Sequence, residues 1–214
     1  AHSWVLAFPS EDVAFRQYSE TFPGSATLLL DTYDTVAAAH HVVASGLTPR
    51  AVRLDSGDLV DLSRQVRAIL DAGGLSATRI VVSGDLDEHR VRAIVEAGAP
   101  IDGFGVGTSL STSSDAPALS GVYKLVAIER GGTVAPVRKR SPGKATMPGR
   151  KQVWRTVVDG VMTGDVIALA DEPAPEDAVA LLEPVMKGGQ RLVTPALADV
   201  RARRAARGAT LPHN

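Results

Sequence analysis

Blocks of apolar residues alternate with polar, helix-like stretches through the first half of the chain. Continuous apolar runs predict buried strands at 26–30, 51–54, 79–82 and 101–104. Amphipathic stretches between them predict helices at 36–44, 58–71 and 87–97. Successive strands begin 22 to 28 residues apart, a spacing typical of β/α units around a parallel sheet. The pattern therefore predicts an α/β fold, either part of a barrel or a doubly wound sheet, with too few strands for a closed eight-stranded barrel.

Two shorter elements are predicted before the first of these units. The apolar run 4–8 predicts a strand. Ser10, followed by Glu11 and Asp12, predicts the start of a helix that ends near Thr21.

The β/α pattern stops near Ser120, and the second half predicts strands joined by tight turns. Apolar runs at 122–128, 153–158 and 166–169 predict an antiparallel meander, with turns at Gly131-Gly132 and Asp159-Gly160. Residues 196–208 predict an Arg/Ala-rich helix on the surface. We therefore expect two parts, residues 1–120 and residues 121–214.

Polar turns that contain glycine follow three of the predicted strands, at 53–58 (RLDSGD), 82–85 (VSGD) and 104–109 (FGVGTS). Glycine lets backbone N–H groups approach a phosphate closely, and hydroxyl side chains add donors. Carboxylates are better suited to sugar hydroxyls or to Mg²⁺. Three such turns at strand ends favour a phosphorylated sugar as the ligand.

A basic loop at residues 138–151 contains no acidic residue and is interrupted by proline and glycine. A solvated linker is one interpretation, because charge-rich loops are usually hydrated. Attraction to phosphate groups is the other, and the sequence leaves both open.

Composition excludes several classes of protein and site. The chain has 214 residues and a net charge of −1, which gives no overall field favouring nucleic acid or an acidic membrane surface. It contains no cysteine, so disulfides, thiolate metal sites and a cysteine nucleophile are excluded. No apolar run approaches the ~20 residues of a membrane span. The first residue is alanine rather than methionine, so we expect the chain to begin within a longer protein.

Several short motifs occur in a fixed order: 1–4 (AHSW), 31–34 (DTYD), 53–59 (RLDSGDL), 104–108 (FGVGT), 122–125 (VYKL) and 144–151 (KATMPGRK). In this order they resemble the C-terminal part of nicotinate phosphoribosyltransferase, a type II phosphoribosyltransferase family. The resemblance covers essentially the whole chain, and the N-terminal half of a family member is missing from it. It implies part of an incomplete β/α barrel, followed by a β-rich segment that joins a second α/β domain.

The resemblance also implies an activity in NAD biosynthesis. The family joins nicotinate to 5-phosphoribosyl-1-pyrophosphate and releases nicotinate mononucleotide and pyrophosphate, with ATP hydrolysis and Mg²⁺. We accordingly expect a cytoplasmic homodimer that is active only with the N-terminal half of the same enzyme. Binding to nucleic acid or to a membrane is not expected.

Four residues carry the expected chemistry. By resemblance, His2 is the histidine that ATP phosphorylates during turnover, and Arg53 contacts the nicotinate carboxylate, a pairing suited to a planar guanidinium. Asp31 ends a buried strand, and we expect it to orient His2. Asp55 is expected to contact ribose hydroxyls or Mg²⁺. The simpler alternatives are a frayed chain start for His2 and a helix cap or turn for Asp31.

The later turns are expected to bind the phosphoribosyl group. Gly84 and Asp85 are assigned to ribose hydroxyls, with Mg²⁺ as a second possibility for Asp85. Gly105, Gly107 and Thr108 are assigned to the 5′-phosphate, through backbone amides and a hydroxyl. The alternative for this loop is a simple β/α turn.

Other functions remain open at this point. A phosphate-binding barrel enzyme of different chemistry, such as an isomerase or a flavin-binding oxidase, would use only the last loop and leave His2 without a role. A non-catalytic fragment that assembles with its complement is another possibility. Within the family, nicotinamide is the rival substrate, although a carboxylate favours Arg53. His40, His41 and His89 have no partner at ligand spacing, so we expect structural roles for them.

Overall fold

The computed structural model describes residues 1–115, 118–119, 121–141 and 143–212. By internal packing the chain divides into two compact units, Ala1–Pro148 and Gly149–Asn214. The sequence-based division at residue 120 follows the loss of the β/α pattern instead. Ser120 itself, and Pro142 in the basic loop, lie outside the described residues.

Six helices and six strands of the first unit follow one another along the described residues. The helices are α1 (His2–Leu6), α2 (Glu11–Thr21), α3 (Thr35–Ala44), α4 (Leu59–Ala72), α5 (Glu88–Glu96) and α6 (Thr108–Ser111). The strands are β1 (Thr27–Leu29), β2 (Ala51–Leu54), β3 (Arg79–Ser83), β4 (Gly103–Gly105), β5 (Ala127–Arg130) and β6 (Thr133–Pro136). The four predicted strands and the helices between them are therefore confirmed, with shifts of one or two residues at their ends. Strands β1 to β3 are largely buried as expected, whereas β4 is only partly buried.

Strands β1 to β4 form a parallel sheet in the order β1-β2-β3-β4. The register aligns Arg53 with Leu29 on one side and with Val81 on the other, and Ser83 with Gly105. The polar turns after these strands consequently lie along one edge of the sheet, where α/β folds place their ligands. This mixed α/β architecture with a parallel sheet agrees with the predicted fold class.

Capping side chains fix where the helices of this unit begin. The Ser10 hydroxyl accepts a hydrogen bond from the backbone of Val13 at the start of α2. The Asp58 carboxylate accepts hydrogen bonds from the backbones of Val60 and Asp61 at the start of α4. A cap of this kind contributes ~1 kcal/mol to the stability of a helix.

The predicted strand at 4–8 is wrong, because the structure places helix α1 there. Trp4 and Phe8 are four residues apart and their ring centroids lie 4.8 Å apart, a contact that helical spacing allows. Val5 and Leu6 are buried on the same helix. An apolar run of five residues fits one and a half helical turns as well as a strand, and here packing against α2 favours the helix.

The core of the first unit lies between the parallel sheet and its helices. Fully buried apolar side chains from the strands, and from Leu30 directly after β1, include Leu28, Leu30, Val52, Leu54, Ile80 and Val82. Helices α3 and α4 contribute Ala38, Ala39, Val42, Val66 and Leu70 to the same cluster. The core therefore holds the carboxyl ends of β1 to β3 in a fixed relation.

Beyond β4, the structure corrects the predicted strand at 122–128. The strand β5 begins only at Ala127, and it pairs with β6 through a turn at Gly131-Gly132. Val122 and Tyr123 are exposed and have no place in a sheet. The prediction was wrong for these residues because an apolar run forms a strand only where it has a neighbouring strand to pair with.

In its described residues, 149–212, the second unit is built from antiparallel strands and one helix. It contains β7 (Lys151–Val158), β8 (Val161–Leu169), β9 (Ala178–Ala180), β10 (Met186–Lys187), β11 (Gln190–Arg191) and α7 (Leu197–Gly208). Strands β7 and β8 form the predicted hairpin around Asp159-Gly160, and β9 pairs with the other edge of β7. Across the described residues of both units, no helix is both long enough and apolar enough to cross a membrane.

Candidate active site

The carboxyl ends of β1 and β2 bring three sequence-predicted residues together. Asp31 follows β1, Asp55 follows β2, and His2 reaches them from the first turn of α1. One ligand atom from each of these side chains lies within 4.8 Å of the other two. The structure therefore places Asp31 near His2, as expected, and brings Asp55 to the same point.

A hydroxyl group holds the imidazole ring of His2. Nδ1 of His2 is 3.0 Å from Oγ1 of Thr32. Nε2 lies 3.9 Å from Oδ1 of Asp31 and 3.7 Å from Oδ2 of Asp55, beyond hydrogen-bond distance. The hydrogen bond that orients the ring thus involves Thr32, which the sequence analysis did not assign, and Asp31 faces the opposite nitrogen.

Arg53, Asp55 and Ser83 form a hydrogen-bonded cluster across β2 and β3. The Arg53 guanidinium donates to Oδ1 of Asp55 at 2.7 Å and to the Ser83 hydroxyl at 2.8 Å. The Ser83 hydroxyl donates to the same Asp55 oxygen at 2.6 Å. Burial raises the pKa of Asp55, but its interactions with the nearby His2 imidazole and its hydrogen bonds from Ser83 and Arg53 outweigh burial and hold that pKa well below its usual range. The Asp55 carboxylate is therefore ionised at neutral pH.

Residues of the basic loop hold Asp31 from the other side. Nζ of Lys139 lies 3.6 Å from Oδ2 of Asp31, and both side chains are buried. Ser56 donates a hydrogen bond to the same carboxylate oxygen, and Ser141 donates one to the backbone carbonyl of Asp31. Burial holds the pKa of Lys139 below its usual value, although the charges of Asp31 and Asp55 act in the opposite direction. The interpretation of the basic loop as a solvated linker is therefore wrong for Lys139 and Ser141, which are both buried.

The turn after β3 approaches the backbone of β2 closely. Gly84 has φ +99°, and a Cβ atom at this position would overlap the carbonyl oxygen of Asp55. Asp85 also has a positive φ of 51°, and its carboxylate lies 3.1 Å from Nζ of Lys144. Arg90 donates a hydrogen bond to the Asp85 carbonyl at 2.9 Å. The second predicted polar turn is therefore fixed by a close backbone contact and by two cations.

The loop after β4 is more open than the other two turns. A Cβ atom at Gly107 would meet nothing within 4 Å, whereas one at Gly105 would lie 3.2 Å from Cβ of Ser83. Gly107 precedes the four residues of α6, which begins at Thr108. The structure thus places Gly105, Gly107 and Thr108 at the same sheet edge as Asp55, with space beside Gly107.

A small cavity opens beside His2. Its volume is about 160 Å³, and its lining includes Ser3, Tyr123, Lys124, Lys139 and Thr146 along with His2 itself. Two of these side chains are cationic, so the cavity is suited to an anionic group next to the imidazole.

The side chains that hold the site were harder to identify from the sequence than those expected to react. Ser56 and Ser83 lie inside the predicted polar turns, so a search for hydroxyls flanking each carboxylate would have found them. Thr32 follows Asp31 directly in the DTYD motif. Lys139 carries no local signal of burial, because its partner Asp31 is distant in sequence.

Comparisons with known proteins agree on one family. Nicotinate phosphoribosyltransferase pncB2 of Mycobacterium tuberculosis is 46% identical over 198 residues, which are 90% of this chain and 41% of that protein. Nicotinate phosphoribosyltransferase of Bacillus subtilis is 43% identical over 183 residues, or 80% of this chain and 37% of that protein. The chain is a relative of the nicotinate phosphoribosyltransferases. It spans about two-fifths of the length of these curated relatives.

A solved structure supports the fold of this nicotinate phosphoribosyltransferase relative. The crystal structure of nicotinate phosphoribosyltransferase from Porphyromonas gingivalis matches 69% of this chain and 43% of that chain, with a TM-score of 0.57 and 22% identity. At this identity the match concerns the fold alone. No family model matches the sequence.

Proposed function

We propose that this chain is the C-terminal part of an ATP-coupled nicotinate phosphoribosyltransferase. The whole enzyme would make nicotinate mononucleotide and pyrophosphate from nicotinate and 5-phosphoribosyl-1-pyrophosphate. Two curated relatives that carry this enzyme's name, at 43–46% identity, support the proposal. The observation that carries it is the convergence of His2, Arg53 and Asp55 at one edge of the parallel sheet.

Arg53 is proposed to bind the carboxylate of nicotinate. Its side chain is 40% exposed, so part of the guanidinium is open to a ligand. Asp55 and Ser83 fix the orientation of the guanidinium plane. A fixed plane favours two parallel hydrogen bonds to a planar carboxylate, which nicotinamide lacks. This preference supports nicotinate over nicotinamide.

The turns after β3 and β4 are proposed to hold the phosphoribosyl group. Open space beside Gly107 allows a phosphate to approach the backbone amides of 105–108, and Thr108 adds a hydroxyl donor. Gly84 and Asp85 would contact the ribose hydroxyls. Positive charge develops at C1 of the ribose as pyrophosphate leaves, so catalysis depends on positioning and on neutralising the leaving group.

His2 is proposed to accept the γ-phosphoryl group of ATP. Its Nδ1 is engaged by Thr32, so Nε2 is the nitrogen available for attack. A bond forms between Nε2 and phosphorus while the bond from phosphorus to the bridging oxygen of ADP breaks, and ADP departs. Water later cleaves the N–P bond and releases phosphate. The ammonium of Lys139 and that of Lys124 border the same cavity and would offset the phosphoryl charge.

The residues present fit a Mg²⁺ ion that binds together with substrate phosphates. Oδ2 of Asp55 faces away from Arg53 and is a hard oxygen donor of the type that Mg²⁺ prefers. Asp85 is a poorer candidate, because Lys144 already pairs with its carboxylate. When bound, Mg²⁺ would neutralise charge on the pyrophosphate leaving group.

We further propose that the parallel sheet is part of an incomplete β/α barrel, completed by segments that the longer relatives carry outside the matched region. In this proposal residues 1–120 hold the phosphoribosyl-binding turns, and residues 121–214 join a second α/β domain. We also propose that the whole enzyme is a cytoplasmic homodimer.

The test measures pyrophosphate release from nicotinate and 5-phosphoribosyl-1-pyrophosphate. This chain is assayed alone and together with polypeptide covering the rest of the relatives' length. We expect release only with both parts, increased by ATP, and little with nicotinamide in place of nicotinate. Absence of release from the combined parts, with both shown to be folded, would contradict the proposed reaction.

Replacing His2 tests the ATP-coupled step separately. His2→Ala removes the proposed nucleophile, so label from the γ-phosphate of ATP should no longer become bound to the protein as an acid-labile group. Slow synthesis without ATP should persist, because Arg53, Gly107 and Thr108 are unchanged. Normal labelling of the His2→Ala protein would show that the phosphoryl group resides elsewhere.

A further inference from the structure

Each of three side chains at the centre of the site has one polar atom held by a neighbour and another directed at the centre. His2 uses Nδ1 for Thr32 and turns Nε2 inward. Asp31 uses Oδ2 for Ser56 and Lys139, and turns Oδ1 inward. In Asp55, Oδ1 accepts a hydrogen bond from Arg53, and Oδ2 faces His2.

Two of the inward atoms are buried and have no hydrogen-bond partner. In the described part of the chain, Nε2 of His2 and Oδ1 of Asp31 both lack a partner, and the Asp31 side chain is only 2% exposed. The separations of 3.7 and 3.9 Å from Nε2 to the two carboxylates are too long for hydrogen bonds in either tautomer of the ring. A buried polar atom without a hydrogen-bond partner is unfavourable, so a bound group at the centre would be stabilising.

We propose that His2, Asp31 and Asp55 bind a divalent transition-metal ion of the Zn²⁺ or Co²⁺ type. Bonds of about 2.0–2.2 Å to imidazole nitrogen and carboxylate oxygen place two ligands of a tetrahedral ion roughly 3.3 Å apart. The separations of 3.7 and 3.9 Å from Nε2 are somewhat longer than this, and all three ligand atoms lie within 4.8 Å of one another, so rotations of the aspartate side chains would have to close the site around the ion. One nitrogen and two oxygen donors favour ions of this type over Mg²⁺, which prefers oxygen alone.

The neighbouring side chains already do what the outer partners of metal ligands do. The hydroxyl of Thr32 fixes the imidazole through the nitrogen that does not face the centre. Ser56 and Ser83 each bind the outer oxygen of one carboxylate. Such outer hydrogen bonds orient metal ligands and strengthen binding. Arg53 and Lys139 add two positive charges nearby, which weaken the attraction for a cation and favour reversible binding.

The consequence for activity rests on the proposed function. A metal ion bound to Nε2 occupies the lone pair that His2 would use to attack the γ-phosphorus of ATP. The ion would therefore inhibit the ATP-coupled step. It would also occupy Oδ2 of Asp55, the oxygen proposed above for substrate-bound Mg²⁺, and would leave Gly107 and Thr108 free to bind phosphate. The metal site would be a regulatory site that overlaps the phosphorylated histidine.

The test titrates the full chain, without a purification tag, with Co²⁺ and follows the visible d–d absorption. We expect an intense band typical of low-coordinate Co²⁺ with nitrogen and oxygen ligands, saturation at one ion per chain, loss of the band on adding Zn²⁺, and no effect of a similar concentration of Mg²⁺. Displacement by Mg²⁺ at equal concentration, or no band at all, would overturn the proposal.

Matched variants locate the ion. His2→Gln and Asp55→Asn should each weaken Co²⁺ binding at least tenfold, with the fold checked by circular dichroism. His89→Ala is the control, because its imidazole is exposed on α5 and should not change binding. If His2→Gln misfolds, Thr32→Val tests the same point through ring orientation and should weaken binding severalfold. Unchanged binding in the folded variants, or loss in His89→Ala, would place the ion elsewhere.

The metal proposal and the proposed reaction can fail independently. Co²⁺ absorption needs neither nicotinate nor ATP, so a chain without transferase activity can still bind the ion. If transferase activity is present and the ion binds, Zn²⁺ should lower phosphoryl labelling of His2 at concentrations that displace Co²⁺. Full labelling with the metal bound would contradict the regulatory role.

Discussion

Replacing Gly84 by alanine should damage the site through the backbone of Asp55. Gly84 has φ +99°, a region that costs other residues ~1–2 kcal/mol. Its new Cβ would overlap the Asp55 carbonyl oxygen, a backbone atom that cannot rotate away. Overpacking of this kind adds ~1–3 kcal/mol. We therefore expect Gly84→Ala to lower the free energy of unfolding of the first unit by about 2–5 kcal/mol.

Gly74→Ala separates the two contributions. Gly74 has a similar φ of +77°, but a Cβ there meets nothing within 4 Å. This control should lose only the backbone contribution of ~1–2 kcal/mol. The excess loss in Gly84→Ala, about 1–3 kcal/mol, then measures the contact with Asp55.

Tryptophan fluorescence can follow the first unit alone. The chain has two tryptophans, Trp4 in the first unit and Trp154 in the second. In a Trp154→Phe background, urea unfolding followed at Trp4 reports the unit that contains Gly84. Equal losses of stability in Gly84→Ala and Gly74→Ala would refute the argument, because they would mean that the Asp55 backbone yields without cost.

Three further predictions concern ligand binding and pH. In the complete enzyme, Arg53→Lys should raise the KM for nicotinate and lower kcat/KM by a factor that corresponds to roughly 2–4 kcal/mol of lost transition-state binding, measured by steady-state kinetics. If only the KM for 5-phosphoribosyl-1-pyrophosphate changes, Arg53 contacts phosphate instead. Gly107→Val should abolish binding of 5-phosphoribosyl-1-pyrophosphate, measured by calorimetry, and should leave the circular dichroism spectrum unchanged, because a Cβ at this position meets nothing in the protein. Normal binding would contradict the assignment of this loop to phosphate. Burial, followed by the charges of Asp12, Asp34 and Asp31, raises the pKa of Glu11 from 4.5 to about 8. Between these two pH values the folded state keeps a proton on Glu11 that the unfolded chain releases, so the free energy of unfolding falls as the pH rises from 4.5 to about 8. Glu11→Gln should remove roughly 2–4 kcal/mol of that fall, measured by urea unfolding at several pH values. An unchanged pH profile in Glu11→Gln would contradict the raised pKa.

Local pattern was sufficient for the parallel sheet and for one edge of the site. Strands β2 and β3 are short apolar runs that end in polar turns, so the positions of Arg53 and Asp55 followed from the sequence. The predicted start of a helix at residue 58 agrees with the cap that Asp58 forms, whose partners are only two and three residues away.

Longer-range contacts were not predictable in this way. Helix α1 replaced an expected strand because its packing partners lie on α2, and a short apolar run does not reveal them. Burial of Lys139 depends on Asp31, more than a hundred residues earlier in the chain, and nothing near Lys139 distinguishes it from its exposed neighbours Arg138 and Arg140. The positions of His2, Arg53 and Asp55 at the sheet edge were therefore easier to predict than the side chains that contact them.

The hydrogen bond from Ser141 to the Asp31 carbonyl also bears on the order of folding. It joins residues 110 positions apart, and closing a loop of that length costs about 4 kcal/mol of chain entropy beyond the constant for any loop. Contacts within the β/α units span far shorter separations and can form earlier. The sheet should therefore assemble first, and the buried lysine should enter the site only in a late folding step. During synthesis, the chain up to β4 would emerge and fold with Asp31 still open to water.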